Sequence, residues 1–217
     1  GASASIFAER GETSLSEVST SINIDTRTSS INPNDGYNIA VSGSLAGLGG
    51  DKKFVRLSNS ADYYLSYNDD AIILGLAYNA GLIAGLGQDI LISDRYFLGG
   101  NSFRGFEQSG LGPRDASSKD SLGGNLFYTG TIKATFGIGL PPELGLKGNW
   151  FTTFGSLTGI DKSTAAYLDN SSIRVSTGIG ISWNSPFGPI SIILSEAILK
   201  QDYDVTESLS FGIGQKF

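Results

Sequence analysis

The sequence predicts an all-β fold, a transmembrane antiparallel β-barrel with about eight to ten strands in this chain. Three observations predict it. Apolar residues alternate with small polar residues along most of the chain, which is the period of a β-strand. The opposite faces of these segments carry Ser, Gly and Thr, whereas a water-exposed sheet normally carries more charge. Short turns alternate with mostly longer connections, as in barrels that cross a membrane.

Nine segments follow the alternating pattern, and most of them reach the length of a tilted membrane span. In the second segment Tyr37, Ile39 and Val41 share one face, and Asn38 and Ser42 lie on the other. The predicted strands are 14–27, 37–47, 53–67, 71–86, 124–139, 144–157, 172–184, 189–200 and 207–217, and a short extra strand at 3–9 would make ten.

The connections fall into two groups. The turns NPNDG, NDD, PPE and SPFGP are short and rich in residues that favour turn dihedrals. The other connections are GGDKK, 87–123, 159–171 and 200–206. Short turns on one side and longer loops on the other predict a single barrel domain over residues 1–217. A soluble β-sandwich or barrel is the competing interpretation, and the scarcity of Lys and Glu on the polar faces argues against it.

The composition excludes several kinds of site. The 217 residues include no Cys and no His, so a disulfide framework, a Cys or His nucleophile pair and a His-based metal site are impossible. The formal net charge of −6 argues against nucleic-acid binding, which usually shows as a basic patch. No apolar run approaches the ~18 residues of a membrane helix. We expect neither an enzyme nor a cofactor.

One long segment breaks the alternation. It reads DRYFLGGNSFRGFEQSGLGPRD from Asp94 to Asp115 and is followed by LGGN. This segment resembles the sixth extracellular loop of the BamA family, the outer-membrane protein assembly factors of the bacterial surface antigen superfamily. The ending ISWNSPFGPISIILSEAILKQDYDVTESLSFGIGQKF resembles the last three strands of that family, and DTR…NPNDGY and GLGGDKKFVRL match earlier ones. The resemblance covers nearly the whole chain and corresponds to the C-terminal half of the family's barrel.

The resemblance implies a role for the loop and for the last strand. In the family the loop folds back into the lumen, and an Arg at its tip pairs with acidic residues on the inner wall. By position the tip is Arg104, Gly105 and Phe106, after the pair Gly99 and Gly100. The last strand resembles the signal that the assembly machinery reads in outer-membrane proteins, carried here by Leu209, Phe211, Ile213 and Phe217.

The inner wall departs from the family pattern. The family usually has an acidic residue on the strand after the loop and an Asp on the next strand. The matching positions here are Lys133 and Thr153, so the two expected partners of Arg104 are absent and Lys133 would repel it. Three explanations stay open: the alignment slips, Asp62 or Asp94 substitutes, or the loop does not dock in this way.

The function that the resemblance implies is the folding and insertion of outer-membrane proteins. The partners would be outer-membrane lipid, unfolded client proteins and accessory assembly lipoproteins, in the outer membrane of a Gram-negative bacterium. One alternative is a two-partner secretion pore of the same superfamily. Another is a truncated or engineered small barrel without assembly activity, because neither the other strands of the family's sixteen-stranded barrel nor its POTRA domains are present. Such a sheet would close, leave open edges, or pair with a second copy as a homodimer.

Overall fold

The computed structural model describes residues 4–161, 166–185 and 188–213. Nine long strands form one antiparallel sheet, in which each pairs with the next long strand along the chain. A second sheet contains two strands of two residues each. In chain order the strands are β1 Glu17–Asp25, β2 Gly36–Ala46, β3 Phe54–Tyr67, β4 Ile72–Gly85, β5 Arg114–Asp115, β6 Leu126–Gly137, β7 Leu146–Thr158, β8 Tyr167–Leu168, β9 Arg174–Ser185, β10 Gly188–Leu199 and β11 Leu209–Ile213.

The nine predicted strands are confirmed, and the extra strand predicted at 3–9 is wrong. Ala4–Ala8 form a short α-helix instead, because so short a run carries too little alternation to distinguish a strand from a helical turn. Single 3₁₀ turns lie at Ile92–Asp94, Gly100–Ser102 and Pro142–Leu144. Within the described residues β1 pairs only with β2 and β11 only with β10, so this sheet is open.

The two faces of the sheet differ as the alternation predicts. On β4 the side chains of Leu74, Leu76 and Tyr78 are 43%, 49% and 45% exposed, whereas Gly75 and Gly81, on the opposite face of the same strand, are buried. Successive side chains of a strand point to opposite faces. We call the apolar, exposed side the outer face and the opposite side the inner face.

The sheet curls around its inner face. A cavity of about 450 Å³ is lined both by Arg27, which follows β1, and by Pro189 and Ile190 of β10. Six strands lie between β1 and β10 in the sheet, so the sheet must curve to bring these residues to one cavity. Among the described residues no helix is long and apolar enough to cross a membrane.

The connections lie at two ends of the sheet. The end with the connections 26–35, 68–71, 138–145 and 186–187 is here called the turn end. The opposite end, here called the loop end, has the connections 47–53, 86–125, 159–173 and 200–208. The connection 86–125 is the longest and is called the long loop. The longest connection lies at the loop end, as predicted, but the division by length is only partial, because 26–35 at the turn end is longer than 47–53 and 200–208 at the loop end.

A charge introduced on the outer face should hinder insertion more than the same charge on the inner face. Leu76→Lys places an ammonium group toward lipid, at a cost of about 2–4 kcal/mol near the membrane midplane. Asn79→Lys is the matched control, because Asn79 lies on the inner face of the same strand. The measurement is the urea dependence of folding into lipid vesicles. Equal losses for both variants would contradict the assignment of the faces.

Candidate functional site

The long loop lies on the inner face and is held there by a buried apolar cluster. Leu98, Phe103, Phe106 and Leu111 of the loop pack with Leu157 of β7, and all five are at most 4% exposed. The rings of Phe103 and Phe106 meet edge to face, with 5.2 Å between centroids. Burial of this apolar area attaches the loop to the wall of the sheet.

The glycine pair before the tip closes the loop into a compact turn. Gly99 has a φ of 132°, and a Cβ there would lie 1.9 Å from the carbonyl oxygen of Glu107. Gly100 donates its backbone N–H to the carbonyl of Phe106 at 2.8 Å. Only glycine combines this φ with so close an approach of two backbone segments. Residues 99–107 are called the loop tip.

The glycine of the Arg-Gly-Phe motif contacts the inner face of β9. Gly105 has a φ of 93°, and a Cβ on it would lie 2.8 Å from the Cβ of Ser176. Phe106 is fully buried and forms an isolated antiparallel bridge with Thr206, just before β11. The motif therefore fixes the loop tip both to the wall of the sheet and to the segment that leads into β11.

Arg104 extends from the tip over the inner face of β7. Its guanidinium carbon lies 5.6 Å from the centroid of the Phe151 ring, within the range of a cation–π interaction. Burial lowers the pKa of the Arg104 guanidinium from its ordinary value. An arginine nevertheless keeps its charge in a protein. Phe151 is fully buried and leans over Gly178, where a Cβ would lie 2.7 Å from the Phe151 ring.

Lys133 and Thr153, the two inner-wall positions predicted from the family pattern, lie next to the contact between Arg104 and Phe151. Lys133 is the cross-strand partner of Phe151 on one side and of Gly75 on the other. A Cβ on Gly75 would lie 2.7 Å from the Lys133 Cε, and the Lys133 Nζ lies 5.2 Å from the centroid of the Tyr64 ring. The lysine thus extends toward β3, away from Phe151. Thr153 is 3% exposed, and its hydroxyl lies 3.0 Å from that of Thr131.

Asp62 and Asp94, the two acidic residues considered as substitute partners of Arg104, lie beside other cations. Asp62 lies on the inner face of β3, in electrostatic contact with Lys133 and Arg27. Asp94 lies at the start of the long loop and pairs with Lys52 of the 47–53 connection at 2.8 Å. The structure thus brings Arg104 together with Phe151, while the carboxylates of Asp62 and Asp94 have other cationic neighbours.

A second charged group, which the sequence did not predict, lies buried at the loop end. Arg174 of β9 and Asp204 of the 200–208 connection form an ion pair at 3.0 Å, and both side chains are fully buried. Thirty residues separate them, so no local motif joins them. The one available signal was an isolated Arg on a strand face that otherwise carries Ser, Gly and Asn.

The last strand exposes its apolar residues. Leu209, Phe211 and Ile213 lie on the outer face of β11 and are 59%, 63% and 67% exposed. Phe217, the fourth residue of the predicted signal, lies outside the described residues. In the part of the chain that the structure covers, no group of three or more acidic residues is placed to hold a metal ion.

Sequence comparison identifies the family. The model of the Omp85 superfamily domain matches residues 2–217. This chain belongs to the Omp85 superfamily. It is 37% identical over 214 residues to the outer membrane protein assembly factor BamA of Neorickettsia risticii, covering 98% of this chain and 29% of that protein. It is also 34% identical over 159 residues to the sorting and assembly machinery component 50 homolog of Bos taurus, covering 70% of this chain and 32% of that protein.

A solved structure supports the Omp85 fold. The crystal structure of BamA from Haemophilus ducreyi lacking POTRA domains 1–3 matches with a TM-score of 0.82 at 20% identity, covering 90% of this chain and 41% of that one. The chain thus spans about a third of the length of the Omp85 relatives named above. The predicted resemblance to the BamA family is confirmed.

Replacing the tip glycine should release Arg104. Gly105→Ala adds a Cβ against Ser176 at a φ that disfavours side chains, at a cost of about 1–3 kcal/mol. We expect faster tryptic cleavage after Arg104 in the folded protein. Gly87→Ala is the matched control, because Gly87 has a φ of 78° in the same loop but nothing within 4 Å of its Cβ position. If both variants are cleaved alike, the contact with Ser176 does not hold the tip.

Reversing the charge at position 133 should strengthen docking. Lys133 lies close enough to Arg104 to repel it electrostatically. Lys133→Glu removes the like charge and supplies a carboxylate, and a hydrogen bond to a charged group contributes about 1.5–3 kcal/mol. Tryptic cleavage after Arg104 should be slower in Lys133→Glu than in Lys133→Gln, which only removes the charge. A Glu variant cleaved as fast as the Gln variant would show that position 133 does not reach Arg104.

Proposed function

We propose that this chain forms barrel strands of an outer-membrane assembly factor that folds and inserts β-barrel proteins. The observation that carries the proposal is the 37% identity to a BamA over 98% of this chain. The docked loop agrees with it, since the loop tip occupies the inner face where the family resemblance places it.

The physical basis of such activity is the cost of unpaired backbone groups in lipid. Each N–H or C=O without a partner in the hydrocarbon region costs several kcal/mol, so an incoming strand gains by pairing with an existing strand edge. An assembly factor offers that edge and disturbs the bilayer beside it. These steps need no covalent chemistry and no cofactor.

The proposed partners follow from the same assignment. Outer-membrane lipid covers the apolar outer face, and unfolded outer-membrane proteins are the clients. Accessory assembly lipoproteins are further proposed partners. The proposed location is the outer membrane of a Gram-negative bacterium. The turn end then faces the periplasm and the loop end faces the cell exterior.

The predicted site residues receive structural roles under this proposal. The loop tip braces the strands from inside the lumen through Arg104, Gly105 and Phe106, with Gly99 and Gly100 shaping the turn. Lys133 and Thr153, with Asp62 nearby, form the wall beneath the tip. The last strand carries the assembly signal through Leu209, Phe211, Ile213 and Phe217.

The test is client folding in proteoliposomes. The full-length protein that contains this chain is reconstituted, and a urea-unfolded eight-stranded outer-membrane protein is added. Folding is followed by the shift in gel mobility between heated and unheated samples. We expect severalfold faster client folding than in liposomes that hold an unrelated β-barrel at the same density. Equal rates, with the reconstituted protein itself folded, would refute the proposal.

A further inference from the structure

Arg174 is completely enclosed at the loop end of the sheet and fully hydrogen-bonded. Its Nε donates to Asp204 Oδ2 at 3.0 Å, and Nη2 donates to the Tyr203 hydroxyl at 3.2 Å. Its Nη1 donates to the carbonyl oxygens of Asn170 and Ser172 at 2.6 and 2.8 Å. Within the described residues, all of its hydrogen bonds therefore go to segments 170–172 and 203–204, and none goes to the long loop.

Asp204 has partners on both sides. Besides Arg174, its carboxylate accepts the backbone N–H of Gln201 at 2.7 Å and, more weakly, that of Gly112 in the long loop at 3.4 Å. The same carboxylate thus stabilises the turn of the 200–208 connection and contacts the loop. A buried carboxylate needs such compensation for its charge, and Arg174 supplies most of it.

The residues after Asp204 pair with the loop tip through the backbone. Glu107 donates to the carbonyl of Val205 at 3.0 Å, and Val205 donates to that of Gly110 at 2.8 Å. Glu207 donates to the carbonyl of Gly105 at 3.2 Å. These bonds flank the bridge between Phe106 and Thr206 and form a short antiparallel ladder.

The ladder continues into the sheet. Ser195 of β10 donates its N–H to the carbonyl of Ser208, directly before β11 begins. From the loop tip through residues 205–208 to β10 the hydrogen bonding is therefore unbroken. A displacement of residues 205–208 would break the loop ladder and this bond to β10 together.

We propose that Arg174 is a positioning residue for the inward loop and acts on it through Asp204. Arg174, Tyr203 and Asp204, here called the Arg174 clamp, hold the 200–208 connection against β9. That connection in turn holds the loop tip. The loop tip and the start of β11 therefore move together. The loop separates from the wall of the sheet only when the hydrogen bonds of the residues before β11 also break.

The clamp depends on the fork shape of the guanidinium as well as on its charge. One arginine here spans the acid, a hydroxyl and two carbonyls, whereas a lysine offers a single compact ammonium group. Removing the arginine leaves the buried Asp204 uncompensated, which strongly destabilises the buried site. The charged Asp204 carboxylate is then more stable in water than in the buried site. It moves to solvent, and residues 203–207 move with it.

The consequence for activity rests on the proposed function. A client strand that pairs near β11 would act on the same unit as the loop tip. Loop position and the opening of the β10–β11 hairpin would then change together during assembly. The coupling itself is independent of any client.

The test is hydrogen–deuterium exchange of the full-length protein in detergent, without a client. In Arg174→Met we expect exchange at the amides of Glu107, Val205 and Glu207 to rise together by roughly tenfold or more, because the loss of one buried partner is costly. Exchange in β3 and β4 should stay at its original rate. Arg174→Lys should give a smaller joint rise.

The control removes a different anchor of the same loop. Lys52→Met breaks the pair with Asp94, which joins the start of the long loop to the 47–53 connection. We expect faster exchange near residues 92–95 and no change at 105–112 or 203–207. If Arg174→Met does not insert, Asp204→Asn and the milder Tyr203→Phe replace it, with a smaller joint rise expected for each.

Two results would overturn the clamp. In the first, exchange rises at 200–207 while the amides of 105–112 keep their original protection. In the second, Lys52→Met produces the same joint rise as the clamp variants. Neither result depends on client folding, so failure of the assembly assay and failure of the clamp are separate outcomes.

Discussion

The requirement that backbone polar groups be paired inside a membrane governs the rest of this structure. Nine long strands pair in chain order because each must give its N–H and C=O groups a partner in an apolar medium. The apolar side chains can then face lipid, as the half-exposed Leu76, Leu194 and Phe211 do. The opposite face is freed from contact with lipid, and small residues there leave space for the long loop.

Glycines allow the long loop and the inner face to approach each other closely, because a glycine has no side chain. Gly105 lies against Ser176, Gly112 against Leu157, and Gly81 makes room for the ring of Tyr96. Each contact would need a shift of the wall or the loop if a Cβ were present. The glycines permit the approach, while the burial of Phe103 and Phe106 supplies the driving force.

The strands were predictable and the contacts between them largely were not. Alternation identified all nine long strands because one face of each meets lipid, and the register of β6 and β7 puts Lys133 and Thr153 on the same face as Phe151. It could not find Phe151 as the neighbour of Arg104, because a search for acidic partners passes over an aromatic ring. The Arg174–Asp204 pair was also missed, since its members come from different segments that only the folded sheet brings together.

The inner wall shows how a departure from a family pattern can be accommodated. A lysine where the family has an acid would oppose docking if its ammonium group pointed at Arg104. Gly75 removes the side chain that would block the path toward Tyr64, so Lys133 lies along that path instead. Its neighbour Phe151 leans the opposite way over Gly178 and offers its ring to Arg104. One glycine on each side, Gly75 and Gly178, lets the side chains of Lys133 and Phe151 lean apart, so Arg104 packs on Phe151 although Lys133 still repels it.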